Sequence, residues 1–488
     1  MVNAYVGPAL ERYLSRLEAR LHEAGFHGPL LVMQSHGGVA MVADAVRLAA
    51  GAVLSGPAGG VAGARHAARL IGHGDLIPFD MGGTSTDISL VISGEAAIAS
   101  DRQIAGQRVG LQSLDIASIG AGGGSIARVS ANGVLHVGPE SSGAFPGPAC
   151  YGHGGTLATV TDANVVLGYL DAASFLGGRS PLDQHAAEAA VDGIADALGV
   201  DRMKAAEGIH RVVNARMAEG IRLASVRRGI DPRRFALLSF GGAAGMHIAD
   251  VARQLDLRRV IVPRLAAVFS AWGMLASDLR YELATTHISD ASALTSEELR
   301  RIFEGLEAEG RRRLKAARFE GSVRVRRSAD MRYGEQIFAI AVKLDELGWS
   351  HGDLVQQMAE AFHLRHEELY TYALRDQETV LVNARVAVTG ELPALPTEPP
   401  RVSSAPASPG LQRRSYLGGW RKLHVFDFDK LAPGQLVEGP VIIESSTTTV
   451  LLREGDCALV TPLGWLDIAV ATLAQEIPEP PLQSLAPH

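Results

Sequence analysis

Cysteine is nearly missing from this chain of 488 residues: it has two, Cys150 and Cys457, far apart and in no CxxC pair. That excludes a disulfide framework and a cysteine-built zinc site, and it fits a reducing, cytoplasmic setting. No uninterrupted apolar run reaches the ~18 residues of a membrane span, so no membrane association is expected. Positive charge is not in excess either. Lys and Arg number 46 against 53 Asp and Glu, for a net charge of -7. This argues against a general nucleic-acid or anionic-membrane binder, although a local phosphate site remains compatible with it. No basic stretch leads into an apolar one at the start, so no signal peptide is expected. Instead Leu10, Tyr13, Leu14, Leu17 and Leu21 recur at helical spacing between Asn3 and Ala24.

Glycine is what the chain has in plenty, 54 residues gathered in clusters. Clustering of this kind signals backbone that turns tightly or approaches a ligand, rather than flexible linker. Residues 1–285 alternate short β-branched runs with helical patterns, which indicates an α/β domain with its glycine loops at strand ends. Residues 286–390 read as helix, strand, strand, helix, strand, a small α+β domain. A proline-rich stretch, 391–412, reads as a linker, 413–473 as a β-rich module and 474–488 as a disordered tail.

The most informative segment runs from Phe79 to Asp87, FDMGGTSTD, between two strand-like runs. Gly82 and Gly83 bring no Cβ, so backbone N–H groups can close on phosphate oxygens. Thr84 and Thr86 add hydroxyls, and Asp80 and Asp87 are suited to Mg²⁺, an ion that keeps much of its water shell. A plain capped turn is the bland alternative, and the length of the string weighs against it. A second glycine loop, Gly241-Gly242 in SFGGAAGMH, lies between a strand end and a helix start, where a nucleotide is well received. His247 there reads equally as a ligand contact or as a packed residue. The third loop, with Gly122 and Gly123 in SIGAGGGSI, superficially suggests a dinucleotide fingerprint. Ser125 stands at its sixth position, and a β-hairpin with a type I′ turn at Asn132-Gly133 follows in place of the needed helix. NAD binding is rejected, and the loop reads as a second wall of the cleft. The fourth, LSGPAGG from Leu54, reads as a helix start with Ser55 as cap or phosphate-facing hydroxyl.

In order, SGPAGG (55–60), DMGGTSTD (80–87), IGAGGGSIA (119–127), GPESSGAFPGPACYG (138–152), VTDAN (160–164), FGGAAGMH (240–247), DMRY (330–333) and GPVIIE (439–444) resemble the hydantoinase A/oxoprolinase family across nearly the whole chain. The resemblance implies an actin-like (ribonuclease H-like) ATPase core and ATP-dependent phosphorylation of a cyclic amide carbonyl, with ketone carboxylation as the related alternative. It implies ATP and Mg²⁺, with a monovalent cation as a further option, and a B-type hydantoinase subunit as partner in an oligomer. Asp80 and Asp87 would organise magnesium or water, and Gly82, Gly83 and Thr84 would hold the β- and γ-phosphates. Gly241 and Gly242 would border the adenosine. Members usually carry another Asp-Gly-Gly-Thr loop nearer their start; this chain has one such loop, so most of a first lobe is expected to be missing, and a nucleotide-binding subunit without catalysis of its own is the remaining alternative. Phe145 also departs from the pattern, which usually has a polar residue there.

Other chemistry-bearing residues have plainer readings. His363 and His366 lie three apart on a helix, and a solvated charged face is favoured over a metal pair. Cys150 has no base adjacent in sequence and reads as a buried structural thiol.

Overall fold

The computed structural model describes residues 2–99, 102–104, 107–395, 403 and 405–471. The tail expected at 474–488 and part of the linker expected at 391–412 lie outside the described residues. Two compact units emerge, and neither is one continuous stretch of chain.

The first unit joins residues 1–58 and 98–114 to 276–395. Its six-stranded sheet runs in the order Leu31–Met33, Val39–Met41, Leu279–Asp290, Thr379–Gly390, Val323–Tyr333 and Ile340–Lys343. The boundary expected at 285 falls inside the strand Leu279–Asp290, whose partner is Thr379–Gly390 about a hundred residues on. Helix Ser296–Ala316 starts at a capping box formed by Thr295 and Glu298. It buries Leu299, Phe303, Gly310 and Leu314. Gly310 is required there, because a Cβ would lie 2.3 Å from Val388 Cγ2.

Helix Leu354–Tyr370 corrects the reading of the two histidines. Leu354, Met358, Phe362, His363 and His366 are its buried residues, while Arg365, Glu367 and Glu368 face outward. Tyr333 Oη lies 2.8 Å from His363 Nδ1, and His366 uses both ring nitrogens, on Gln336 Nε2 at 3.0 Å and the Tyr372 carbonyl at 2.8 Å. They are core histidines with partners, and the described residues contain no group of three His, Cys, Asp or Glu that would hold a metal.

The second unit comprises residues 59–97, 115–275 and the described part of the chain after 396. Its largest sheet runs Ile116–Ile119, Thr86–Ser89, Leu76–Met81, Ala236–Phe240, Arg259–Val262, Leu466–Ala469, Cys457–Val460 and Leu436–Glu438. The three strands Leu76–Met81, Ala236–Phe240 and Arg259–Val262 are parallel, and they are apolar on both faces as such strands must be. Helix Arg202–Ser225 packs Ile209, Val213, Met217 and Ile221 into the same core as Ile77, Phe79 and Leu237.

The β-rich segment expected as a separate module at 413–473 is divided in a way its sequence did not reveal. Leu411–Tyr416, Trp420–Asp427, Val441–Glu444 and Thr449–Leu452 make a four-stranded sheet. Cys457–Val460 and Leu466–Ala469 instead extend the large sheet, with Val460 and Ile468 buried in its core. The hairpin expected after the third glycine loop is present, pairing Val129 with Leu135. Its turn differs: Ser130 N–H donates to the Val134 carbonyl, and the one left-handed residue is Gly133. That is a three-residue loop, where a type I′ turn would need two consecutive left-handed residues. No helix among the described residues is long and apolar enough to cross a membrane.

Candidate functional site

The DMGGTSTD segment forms a hairpin at the edge of the parallel core. Strand Leu76–Met81 is buried except at Asp80, and the turn closes with Gly82 N–H donating to the Ser85 carbonyl at 3.1 Å. Strand Thr86–Ser89 returns in the register Phe79 to Ile88, Asp80 to Asp87 and Met81 to Thr86. Directly opposed residues share a sheet face, so both carboxylates stand side by side at the base of the turn. Burial pushes the Asp80 carboxyl up to about 6; the Ser270 hydroxyl, 3.1 Å from Oδ2, opposes this, and the charge of Asp87 adds to it. Two like charges so placed favour a cation between them.

The same register removes Thr86 from the site. Its side chain is fully buried and its hydroxyl donates to the Ala121 carbonyl at 2.5 Å. Strand alternation turns it to the face opposite the carboxylates. Thr84, by contrast, is exposed at the tip.

The third glycine loop acts as a bracket beneath the tip. Gly123 N–H donates to the Gly82 carbonyl at 3.0 Å, and Gly124 N–H to the Gly83 carbonyl at 2.6 Å. In a planar trans peptide the N–H points opposite to the C=O. Pinning these two carbonyls to the bracket therefore aims the N–H groups of Gly83 and Thr84 the other way, outward. A Cβ at Gly83 would meet nothing within 4 Å, so that side is open. Gly122 is needed for a different reason. A Cβ there would lie 2.7–2.8 Å from backbone atoms of Thr84 and Ser85. Gly122 and Gly123 thus touch the loop from below, with the Gly123 amide already committed.

The second glycine loop lies alongside. Gly241 is left-handed, with φ of 84°, and its N–H donates to the Ala266 carbonyl. A Cβ on it would sit 2.5 Å from Asp80 Oδ1. Ala243 N–H donates to the Met81 carbonyl at 3.2 Å, and Gly242 is exposed beside it. The structure therefore brings Asp80, Asp87, Gly82, Gly83, Thr84, Gly241 and Gly242 together.

His247 does not reach this surface. It is fully buried and stacks on His210 with ring centroids 4.4 Å apart. Its Nδ1 lies 2.7 Å from Asn214 Oδ1 and its Nε2 3.1 Å from Asn164 Nδ2, while Asn164 Oδ1 lies 3.0 Å from His210 Nδ1. Asn214 Nδ2 faces Asp250 Oδ2 at 3.5 Å, which leaves Asn214 Oδ1 to accept from His247 Nδ1–H. His247 Nε2 is then the acceptor, and the ring is neutral. Burial, then the neighbouring His210, hold its pKa well below the ordinary value. A depressed histidine contributes stability that is full above the unfolded value near 6.5 and declines as pH falls below it. Urea denaturation should show His247→Gln less stable at pH 7.5 by roughly 1–3 kcal/mol. The deficit should narrow toward pH 5.5; a pH-independent deficit would contradict a neutral His247.

Cys150 is buried, and burial followed by the neighbouring Asp162 pushes its thiol far up. Asp162 accepts from the backbone of Ala149, Cys150 and Thr159, so the VTDAN segment serves to tie down this loop. Sequence reasoning missed Ser270, which carries no local signal in PRLAAVFSAWG.

A hairpin tip with outward amides above paired carboxylates stands at the edge of the parallel core of an α/β protein. The Hydantoinase/oxoprolinase model matches residues 1–283 and the Hydantoinase/oxoprolinase C-terminal domain matches 287–462. The chain belongs to the hydantoinase/oxoprolinase family. Caprolactamase subunit alpha of Pseudomonas jessenii is 37% identical over 467 residues, which are 93% of this chain and 67% of that protein. 5-oxoprolinase 1 of Arabidopsis thaliana is 32% identical over 493 residues, 96% of this chain and 38% of that protein. The crystal structure of ATP-dependent caprolactamase from Pseudomonas jessenii matches with a TM-score of 0.81 at 35% identity, covering 96% of this chain and 69% of that one. Nucleotide-free acetone carboxylase matches with a TM-score of 0.78 at 26% identity, covering 94% and 67%. The expected actin-like α/β fold is thereby established.

Proposed function

We propose that this chain is the nucleotide-binding subunit of an ATP-dependent amidohydrolase acting on a cyclic amide. The carrying observation is the pair of outward N–H groups, Gly83 and Thr84, above the opposed carboxylates Asp80 and Asp87. Amides aimed at one point favour phosphate oxygens. The carboxylates fit Mg²⁺, which takes one or two of them together with substrate phosphates and retained water; bound there, the ion would neutralise phosphate charge. Gly241, beside Asp80, and exposed Gly242 suit the nucleoside side of the ligand.

Phosphoryl transfer asks of the protein mainly positioning and charge stabilisation. The amide oxygen takes the γ-phosphoryl group of ATP: an O–P bond forms and the bond to the leaving ADP breaks. Water then adds to the activated carbon, the ring C–N bond breaks and the nitrogen takes a proton. A second water frees phosphate from the carboxyl phosphate. Greater similarity to caprolactamase, at 37%, than to the acetone carboxylase beta subunit, at 28%, favours the amide over a ketone as acceptor. Relatives named as subunits support a hetero-oligomer, for which a B-type hydantoinase subunit is our proposed partner.

Co-purification with the B-type subunit, followed by ADP release assays on lactams, hydantoins and ketones with and without bicarbonate, tests this reading. Bicarbonate-independent ADP release with a cyclic amide is expected. Turnover seen only with a ketone plus bicarbonate would assign the carboxylase reaction instead.

A further inference from the structure

The turn between strands Val441–Glu444 and Thr449–Leu452 reads Ser445-Ser446-Thr447-Thr448. Hairpin turns ordinarily draw on Gly, Asn or Asp, which reach left-handed backbone or bond to their own main chain; Ser and Thr do this more weakly. Turn geometry alone therefore does not call for four hydroxyl residues in succession.

The turn is firmly seated. Ser445 N–H donates to the Thr448 carbonyl at 2.8 Å, and Thr447 N–H to Ser445 Oγ at 3.3 Å. At one foot Arg413 grips Glu444 through two hydrogen bonds of 2.9 Å. Beyond the other foot Arg453 bonds both carboxylate oxygens of Asp250, at 3.1 and 2.5 Å, which ties strand Thr449–Leu452 to helix Ile248–Gln254. The turn is thereby laid across the second glycine loop. A Cβ on Gly245 would lie 2.4 Å from the Thr449 carbonyl, and one on Gly242 would lie 3.8 Å from the Thr447 carbonyl. Gly242, Ser446 and Thr447 are all exposed. Gly241, one residue back, is the glycine whose Cβ would sit 2.5 Å from Asp80 Oδ1, so Cα spacing along the chain puts the Thr447 carbonyl within about 13 Å of the Asp80 carboxylate.

The chemistry at this end is the reverse of that at the hairpin tip. The tip presents N–H donors, whereas the turn presents hydroxyl and carbonyl oxygens, with the Glu444 charge already paired. Such oxygens repel phosphate and accept from hydroxyl groups. We propose that Ser446 and Thr447 bind the ribose hydroxyls of the nucleotide whose phosphates the DMGGTSTD hairpin holds. The inference rests on that hairpin serving ATP.

The test is calorimetric titration of the full chain at pH 8 with three magnesium-loaded probes: ATP, 2′,3′-dideoxy-ATP and inorganic tripolyphosphate. The wild type should bind ATP more tightly than either of the others. A Ser446→Ala/Thr447→Ala double variant should bind ATP about tenfold more weakly, the scale of one or two neutral hydrogen bonds, with the other two probes within about twofold of wild type. Thr447→Val, which keeps the side chain's shape, should show part of the same loss. Both residues are exposed, so the melting temperature should hold. Unchanged ATP affinity in the double variant overturns the ribose contact, and retained tripolyphosphate binding then leaves the phosphate grip standing. An equal loss for all three probes marks a merely structural turn and overturns the contact as well. A wild type that binds none of the probes overturns the reading of the hairpin itself.

Discussion

Asp80→Ala is expected to abolish ATP turnover in the assembled enzyme, by at least about a hundredfold, the scale of losing one well-placed electrostatic group. Asp80→Asn should do nearly as much, since it keeps the shape and loses the charge. The stability effect should have the opposite sign. With its pKa raised to about 6, the Asp80 carboxyl binds a proton in the folded state more readily than in the unfolded chain. Its contribution is therefore full below about pH 4 and is lost as pH rises through about 6. Above that pH the half-buried, opposed carboxylates strain the free protein. Asp80→Asn should accordingly melt higher than wild type at pH 7.5 without ligand, by a margin worth about 2 kcal/mol, and the gap should close toward pH 4.5. Lower stability of Asp80→Asn at neutral pH, by calorimetry, would contradict the paired-carboxylate geometry.

The second large effect is expected at Gly122, which touches no ligand. A methyl group there must displace backbone atoms of Thr84 and Ser85 that now lie 2.7–2.8 Å away. Overpacking of this kind costs about 1–3 kcal/mol. It should also turn the Gly83 and Thr84 amides out of line. Gly122→Ala should therefore lower both the melting temperature and Mg·ATP affinity, the latter at least about tenfold, equivalent to losing one charge-assisted hydrogen bond. Gly83→Ala gives the contrast. Its Cβ meets nothing within 4 Å, so stability should hold while affinity falls because the methyl enters the space left for phosphate. Equal melting losses in both variants would show that the bracket does not support the tip.

The DMGGTSTD hairpin was legible because everything it needs is local: two strands, a two-glycine turn and carboxylates at its ends. Even there, Thr86 was misplaced. Its hydroxyl looked available in sequence, but the Asp80–Asp87 register sends residue 86 to the buried face. What was not legible locally shares a nonlocal cause. The helix start expected at SGPAGG is there, at Ser55, but its glycines answer to a helix some two hundred residues later, a partner the local pattern does not name. Leu279–Asp290 pairs with Thr379–Gly390, about a hundred residues on, a partner that its own residues do not name. Strand Leu466–Ala469 bonds to Arg259–Val262, a partner that its own residues do not name. His363 and His366 looked solvated because charged residues surround them in sequence. Helical periodicity puts the histidines inward with Phe362 and those neighbours outward.

Calorimetric titration of Mg·ATP into the full chain at pH 8, with Asp80→Asn alongside, tests the central claim most directly. Saturable micromolar binding by the wild type, weakened at least about tenfold in the variant, is the expected result. Equal binding by both proteins, or none by the wild type, would contradict the assignment of the DMGGTSTD hairpin as the nucleotide grip.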